Sequence, residues 1–207
     1  MRETDPIVFV IDDDELIRDG IKSLIRSIGL RAESFKSAQD FMLEKPIDGP
    51  ACLVLDVRMP GLNGFDLQSE LREAQIYMPI IFITGHGDIP MSVRAMKEGA
   101  MDFLTKPVRG QDLLDAVQKA IALDRERRKK RAKLTETRKH FDSLTPRETE
   151  VLNLVVAGLL NKQIADQLGT SELTIKTHRA RVMEKTRAES LAHLVRMAET
   201  LRNSKGE

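Results

Sequence analysis

The chain has 207 residues, 41% hydrophobic and 31% charged, with no tryptophan and a formal net charge of +1, which excludes collagen-like, disordered and membrane classes and fits one or two globular domains. No run approaches the ~18 to 20 apolar residues of a membrane span, and acids stand near the N-terminus where a secretory signal needs an apolar stretch, so a cytoplasmic protein is expected. The lone Cys52 sits in the apolar run 51–55 and reads as a small buried hydrophobe, as suits a reducing compartment.

The near-zero charge conceals an asymmetry. Residues 1–124 hold 14 basic and 21 acidic side chains, residues 125–141 hold 9 and 2, and residues 142–207 hold 10 and 9. An acidic body is thus joined through a basic stretch to a balanced one, and different partners are expected for each.

Short apolar runs recur in the first body at Ile7–Ile11, Cys52–Leu55 and Ile80–Ile83, with weaker strand candidates near 31–35 and 101–104. Runs apolar on both faces suit a covered parallel sheet. Between them lie helical spacings, such as Leu16, Gly20, Ile21, Leu24, Ile25 and Ile28, and later Leu113, Leu114, Val117 and Ile121. Five strand–helix repeats predict an α/β, doubly wound, five-stranded parallel sheet.

Ligands of such sheets bind beyond the carboxyl ends of the strands. The first run ends in Asp12-Asp13-Asp14, the third in Asp56, the fourth in Thr84-Gly85 and the fifth in Lys106-Pro107. Carboxylates gathered at one rim repel unless a cation sits among them, and all-oxygen ligands favour a hard ion such as Mg²⁺. A lysine and a hydroxyl beside them suit a phosphoryl group. Asp14 is assigned to capping the following helix, and His86 to a loop at the mouth of the site.

On Ile11-Asp12-Asp13-Asp14, Leu55-Asp56-Val57-Arg58-Met59-Pro60-Gly61, Ile83-Thr84-Gly85-His86-Gly87 and Phe103-Leu104-Thr105-Lys106-Pro107, residues 7–123 resemble the receiver domain of two-component response regulators, a flavodoxin-like fold. The resemblance implies that Asp56 accepts a phosphoryl group and that Asp13, Asp56 and the Arg58 carbonyl hold Mg²⁺, with Asp12 orienting the ion through water. It further implies that Thr84 and Lys106 bind phosphoryl oxygens, that Phe103 is the switch aromatic, and that the Lys106-Pro107 bond is cis.

From near Gln111 the chain continues without glycine or proline to Phe141, predicting one long helix whose part 125–141 is a basic linker. Val117, Ile121 and Leu134 outline a pairing stripe that Asp124, Arg128 and Arg131 interrupt. The charge run 127–133 is read either as a solvated face or as a contact to DNA phosphate or the acidic receiver. Thr145-Pro146-Arg147-Glu148 then starts a helix that Gly158 ends. Asn161 is expected to cap a short helix closed by Gly169, and Ser171 a third helix with the inward stripe Ile175, Arg179, Val182 and Thr186. This is a helix-turn-helix pattern in an all-α, four-helix domain, 142–207.

Leu144-Thr145-Pro146-Arg147-Glu148, Gly158–Lys162, Ile164-Ala165, Leu168-Gly169, Thr174–Arg179 and Lys185 make residues 143–201 resemble the LuxR-type DNA-binding domain, with departures at Ala180 and Thr186. Lys176, Arg179, Arg181, Lys185 and Arg187 form a cationic footprint for the DNA backbone. Positions 173, 176, 177, 180 and 184 point toward the major groove, with Lys176 and Thr177 as the base-edge candidates.

The whole chain resembles full-length response regulators of the FixJ/NarL type. That implies a transcription factor and not an enzyme, phosphorylated by a sensor histidine kinase, dimeric when phosphorylated, and acting on promoter DNA with RNA polymerase as a further partner. An aspartyl phosphatase of the haloacid dehalogenase kind needs an acid two residues after its nucleophile, where this chain has Arg58. A P-loop is absent, and a pure adaptor would leave the basic helix unexplained.

Overall fold

The computed structural model describes residues 5–43, 49–85 and 88–204, so His86 lies outside the described residues. The chain forms two compact units, Met1–Arg128 and Lys129–Glu207.

The first unit runs β1 (Ile7–Ile11), α1 (Glu15–Ser27), β2 (Arg31–Phe35), α2 (Ala38–Met42), β3 (Ala51–Asp56), α3 (Gly64–Glu73), β4 (Ile80–Thr84), α4 (Ile89–Lys97), β5 (Asp102–Thr105) and the start of α5 (Gly110–Asp142). The strands pair in the order β2-β1-β3-β4-β5, all parallel. Strand side chains alternate between faces, so each apolar run feeds two cores. Phe9, Ile11, Leu53, Leu55 and Phe82 pack with Phe41 of α2, Phe65 and Leu71 of α3, and Ala95 of α4. Val8, Val10, Cys52, Val54, Ile81 and Ile83 pack with Ile21 and Ile25 of α1 and with Leu113, Val117 and Ile121 of α5. Covering both faces is what lets uninterrupted Ile/Val/Leu strands exist without an exposed apolar surface. Cys52 is fully buried there, and burial pushes its thiol far above the ordinary range.

Leu16 departs from its assigned stripe, being 84% exposed. It stands nine residues before the buried Ile25, which at 100° per residue places it on the opposite side of α1. Val117 and Ile121 belong to the core of the first unit, so they are not available for helix pairing. Asp124 behaves unlike the interruption it resembles in sequence. It is 2% exposed, and its carboxylate accepts hydrogen bonds from the Ala51 backbone N–H (2.9 Å) and Arg128 Nε (2.7 Å). The first residue of β3 is thereby tied to α5.

The second unit contains the end of α5, then α6 (Pro146–Val156), α7 (Asn161–Leu168), α8 (Glu172–Thr186) and α9 (Leu191–Asn203). Its core joins Val151, Leu152, Val155, Ile164, Ile175, Val182 and Leu194, with Phe141 and Leu144 packed against it. Thr145 and Glu148 form the expected capping box on α6, and Gly158 follows its end at φ 89°. Ser171 caps α8 through the Thr174 N–H. Asn161 does not cap α7. Leu160 holds the cap position, and Gln163 Oε1 accepts from its N–H at 2.8 Å. This releases the Asn161 side chain for a bond to α8.

Candidate phosphoacceptor site and nucleic-acid interface

β1 and β3 are neighbours at the point where strand order reverses, and their carboxyl ends deliver Asp12, Asp13 and Asp56 to one place. One carboxylate oxygen of each lies within 4.8 Å of the others. Asp12 is fully buried, Asp56 is 5% exposed, and Asp13 is exposed. From the end of β5, Lys106 Nζ reaches Asp12 Oδ2 at 2.7 Å and Asp56 Oδ2 at 2.6 Å. The second oxygens are held by the backbone. The Asp14 N–H donates to Asp12 Oδ1 (3.0 Å) and the Arg58 N–H to Asp56 Oδ1 (3.1 Å). Asp14 also caps α1, as expected, accepting from the Leu16 and Ile17 N–H groups.

Burial pushes the Asp12 carboxyl above its ordinary range, and the Lys106 hydrogen bond opposes the shift without cancelling it. Burial also works against the charge on Lys106, but the hydrogen bonds to Asp12 and Asp56 outweigh it and raise the ammonium. One lysine against three carboxylates leaves the site rich in negative charge. Oxygen-only donors at this spacing fit a small hard cation such as Mg²⁺.

Thr84 ends β4 fully buried, and its carbonyl accepts from the Lys106 N–H at 2.8 Å. Lys106-Pro107 is a cis peptide. Phe103 is half-buried, its ring centroid 6.5 Å from that of Phe82, which lies 5.0 Å from Phe65. Phe65 in turn carries the Arg94 guanidinium of α4 over its ring at 4.5 Å. Gly64 explains how α3 starts so close to the site: a Cβ there would stand 2.6 Å from the Asp56 carbonyl oxygen. Two contributors escaped the sequence reading. Arg18 Nη1 donates to the Asp12 carbonyl at 2.7 Å, and Gly64 carried no motif of its own.

In the second unit, α8 buries Ile175, Val182 and Thr186 and exposes Leu173, Lys176, Thr177, Ala180, Arg181 and Glu184. The hydroxyl of Thr186, buried in the core, donates to the Val182 carbonyl at 2.7 Å and so is satisfied. Thr177 donates to the Leu173 carbonyl at 3.1 Å.

Two of the cations expected at the DNA backbone also make bonds within the unit. Lys185 Nζ meets Glu148 Oε2 at 2.7 Å and the Ser143 carbonyl at 3.3 Å. Glu148 is 2% exposed, and its carboxyl is pulled down to about 2, first by Lys185 and then by the Thr145 N–H. A buried carboxylate demands a counter-charge, and Lys185 supplies it, tying α8 to α6. Arg179 Nη1 donates to Asn161 Oδ1 at 2.6 Å, which fixes α7 against α8. Lys176, Arg181 and Arg187 remain exposed.

Fold and site together define a response regulator: a five-stranded parallel sheet with an acidic cluster and a lysine at its switch point, and a helix-turn-helix unit. Residues 8–118 match the response regulator receiver domain, and residues 142–198 match the bacterial regulatory proteins of the luxR family. The chain is 52% identical over 198 residues to nodulation protein W of Bradyrhizobium diazoefficiens, covering 96% of this chain and 87% of that one. It is 41% identical over 191 residues to the transcriptional regulatory protein FixJ of the same organism, covering 92% and 93%. Among solved structures it is similar to the response regulator StyR, with TM-score 0.87 and 47% identity over 95% of this chain and 100% of that one. It is also similar to full-length FixJ from B. japonicum, with TM-score 0.56 and 41% identity over 93% and 95%. The chain belongs to the response regulator family, in the group that joins a receiver domain to a LuxR-type DNA-binding domain. Its class is that of transcription regulators and not of enzymes.

Proposed function

We propose that this response regulator is switched by phosphorylation of Asp56 and, in that state, binds promoter DNA as a dimer. The observation that carries the reading is the Asp56 carboxylate, nearly buried at a strand end, 2.6 Å from Lys106 and clustered with Asp12 and Asp13. A phosphohistidine of a sensor histidine kinase is the donor. An Asp56 carboxylate oxygen attacks phosphorus in line, the P–O bond forms as the P–N bond breaks, and the imidazole leaves with the electron pair. Asp12, Asp13, Asp56 and the Arg58 carbonyl are the groups that would hold Mg²⁺. When bound, that ion supplies positive charge to the equatorial oxygens. Lys106 adds its own charge, moving from carboxylate to phosphoryl oxygen, and Thr84 closes on the same group.

Phe103 follows Thr84 inward and alters the face of α4, β5 and α5. The exposed Ile89, Val93 and Met96 of α4 support that face as the dimer contact. Two recognition helices then address two half-sites, with Lys176 and Thr177 toward the bases and Arg181 toward phosphates. Contact with RNA polymerase and a cytoplasmic setting complete the reading. No described helix is long and apolar enough to cross a membrane. The test is labelling with a small phosphodonor and Mg²⁺. Wild-type protein acquires a base-labile phosphoryl group and Asp56→Asn does not; equal labelling of the variant would refute the assignment.

A further inference from the structure

The charge run in α5 is the largest feature that the phosphorylation site and the recognition helix leave unused. Lys130, Arg131 and Lys133 are all exposed, and among the described residues no acid pairs with them. They lie on α5 within the second unit, the body that also carries α8. The helix is fastened to that body further along. Phe141 packs on its core, Arg138 Nη2 donates to Ser204 Oγ at 3.2 Å, and the Ser143 carbonyl accepts from Lys185 at the end of α8. The three cations are therefore an outrigger of the DNA-binding body. At 1.5 Å per residue they begin about 15 to 20 Å from the point where α5 meets the end of α8. One turn of duplex DNA spans about 34 Å, so that reach stays within a single turn.

The cation balance of α8 favours duplex phosphate as the occupant over an acidic protein surface. Lys185 is bonded to Glu148 and Arg179 to Asn161, so the recognition helix presents fewer exposed cations than its composition suggests. Duplex binding rests on neutralising several phosphates at once. Three cations spaced i, i+1 and i+3 also repel one another along the helix, and a polyanion relieves that repulsion.

We infer that Lys130, Arg131 and Lys133 form a second, sequence-independent DNA contact that grips backbone phosphates flanking the site read by α8. The inference rests on the reading that the second unit binds duplex DNA. The experiment uses the full chain and a labelled 40-base-pair mixed-sequence duplex, titrated between about 50 and 200 mM salt, the range over which phosphate contacts dominate affinity. In Lys130→Gln/Arg131→Gln/Lys133→Gln, the slope of log K against log salt should shrink by roughly 2 to 3, since each lost phosphate contact removes about 0.9. Lys130→Arg/Lys133→Arg should keep the wild-type slope, which separates charge from helix disruption. A triple variant with wild-type slope and affinity would overturn this inference alone. So would an unchanged slope together with altered self-association, which would assign the face to the acidic receiver. Wild-type protein that binds no duplex would overturn both readings.

Discussion

Replacing Lys185 by alanine separates two roles for one side chain. In the structure its ammonium is the counter-charge of Glu148, which is 2% exposed and also accepts from the Thr145 N–H. Removing one partner of a fully buried pair costs about 3 to 5 kcal/mol. The Lys185 side chain is itself 35% exposed, so water softens the loss, and a destabilisation of about 2 kcal/mol is expected. For a unit this small, each kcal/mol lowers the melting temperature by roughly 4 to 8 °C. Calorimetry of the full chain should therefore show the transition of the second unit falling by about 8 to 16 °C while that of the first stays in place. In a Glu148→Gln background the same substitution should be nearly silent, giving a coupling of about 2 kcal/mol. If Lys185→Ala melts like the wild type and instead reduces the salt slope of DNA binding by roughly one, the lysine is a phosphate contact after all and the tie to α6 is unimportant.

The Glu148 carboxyl also sets a pH dependence. Its folded value of about 2 lies below its ordinary 4.5, so the unfolded chain binds the proton more readily. The stability this group contributes is complete above about pH 4.5 and is lost as pH falls toward 2. Acid titration of α8 helicity should be flatter in this window for Glu148→Gln than for the wild type. Gly64→Ala should lower stability by about 1 to 3 kcal/mol through overpacking, since its Cβ would meet the Asp56 carbonyl oxygen at 2.6 Å and Phe82 Cε1 at 2.9 Å. The same variant should phosphorylate more slowly, because the backbone that aims Asp56 must move; urea melts and phosphodonor labelling check the two effects.

Periodicity and strand ends carry most of what is legible in the amino-acid sequence. β1, β3 and β4 announce themselves because a doubly covered strand is apolar at every position, and Asp12, Asp13, Asp56, Thr84 and Lys106 stand at or just past the carboxyl ends of such runs. Helix starts at Thr145 and Ser171 are legible because capping is a local interaction. Pairings between distant positions leave no periodic trace. Glu148 and Lys185 are 37 residues apart and Asp124 and Ala51 are 73 apart, so Glu148 reads only as a capping residue and Asp124 only as a break in a stripe. Asn161 misled for a related reason: a good capping residue stands one position inside the helix, where its amide is free to hold Arg179. Composition counts charges, but only the fold decides which of them face outward.

The end of α8 carries one more consequence. Arg187 closes the helix in the left-handed conformation, at φ 57°, a geometry that costs a non-glycine residue roughly 1 to 2 kcal/mol. After two other helices of the unit the chain places glycine in that region, Gly169 after α7 and Gly158 after α6. Here the stop combines a local backbone bond, from the Ala188 N–H to the Met183 carbonyl at 3.2 Å, with the packing of Ala188 into the core. The length of α8 thus depends on tertiary packing as well as on its local cap. Anything that loosens the core around Ala188 weakens that stop, so the reach of α8 becomes a gauge of how well the domain behind it is packed.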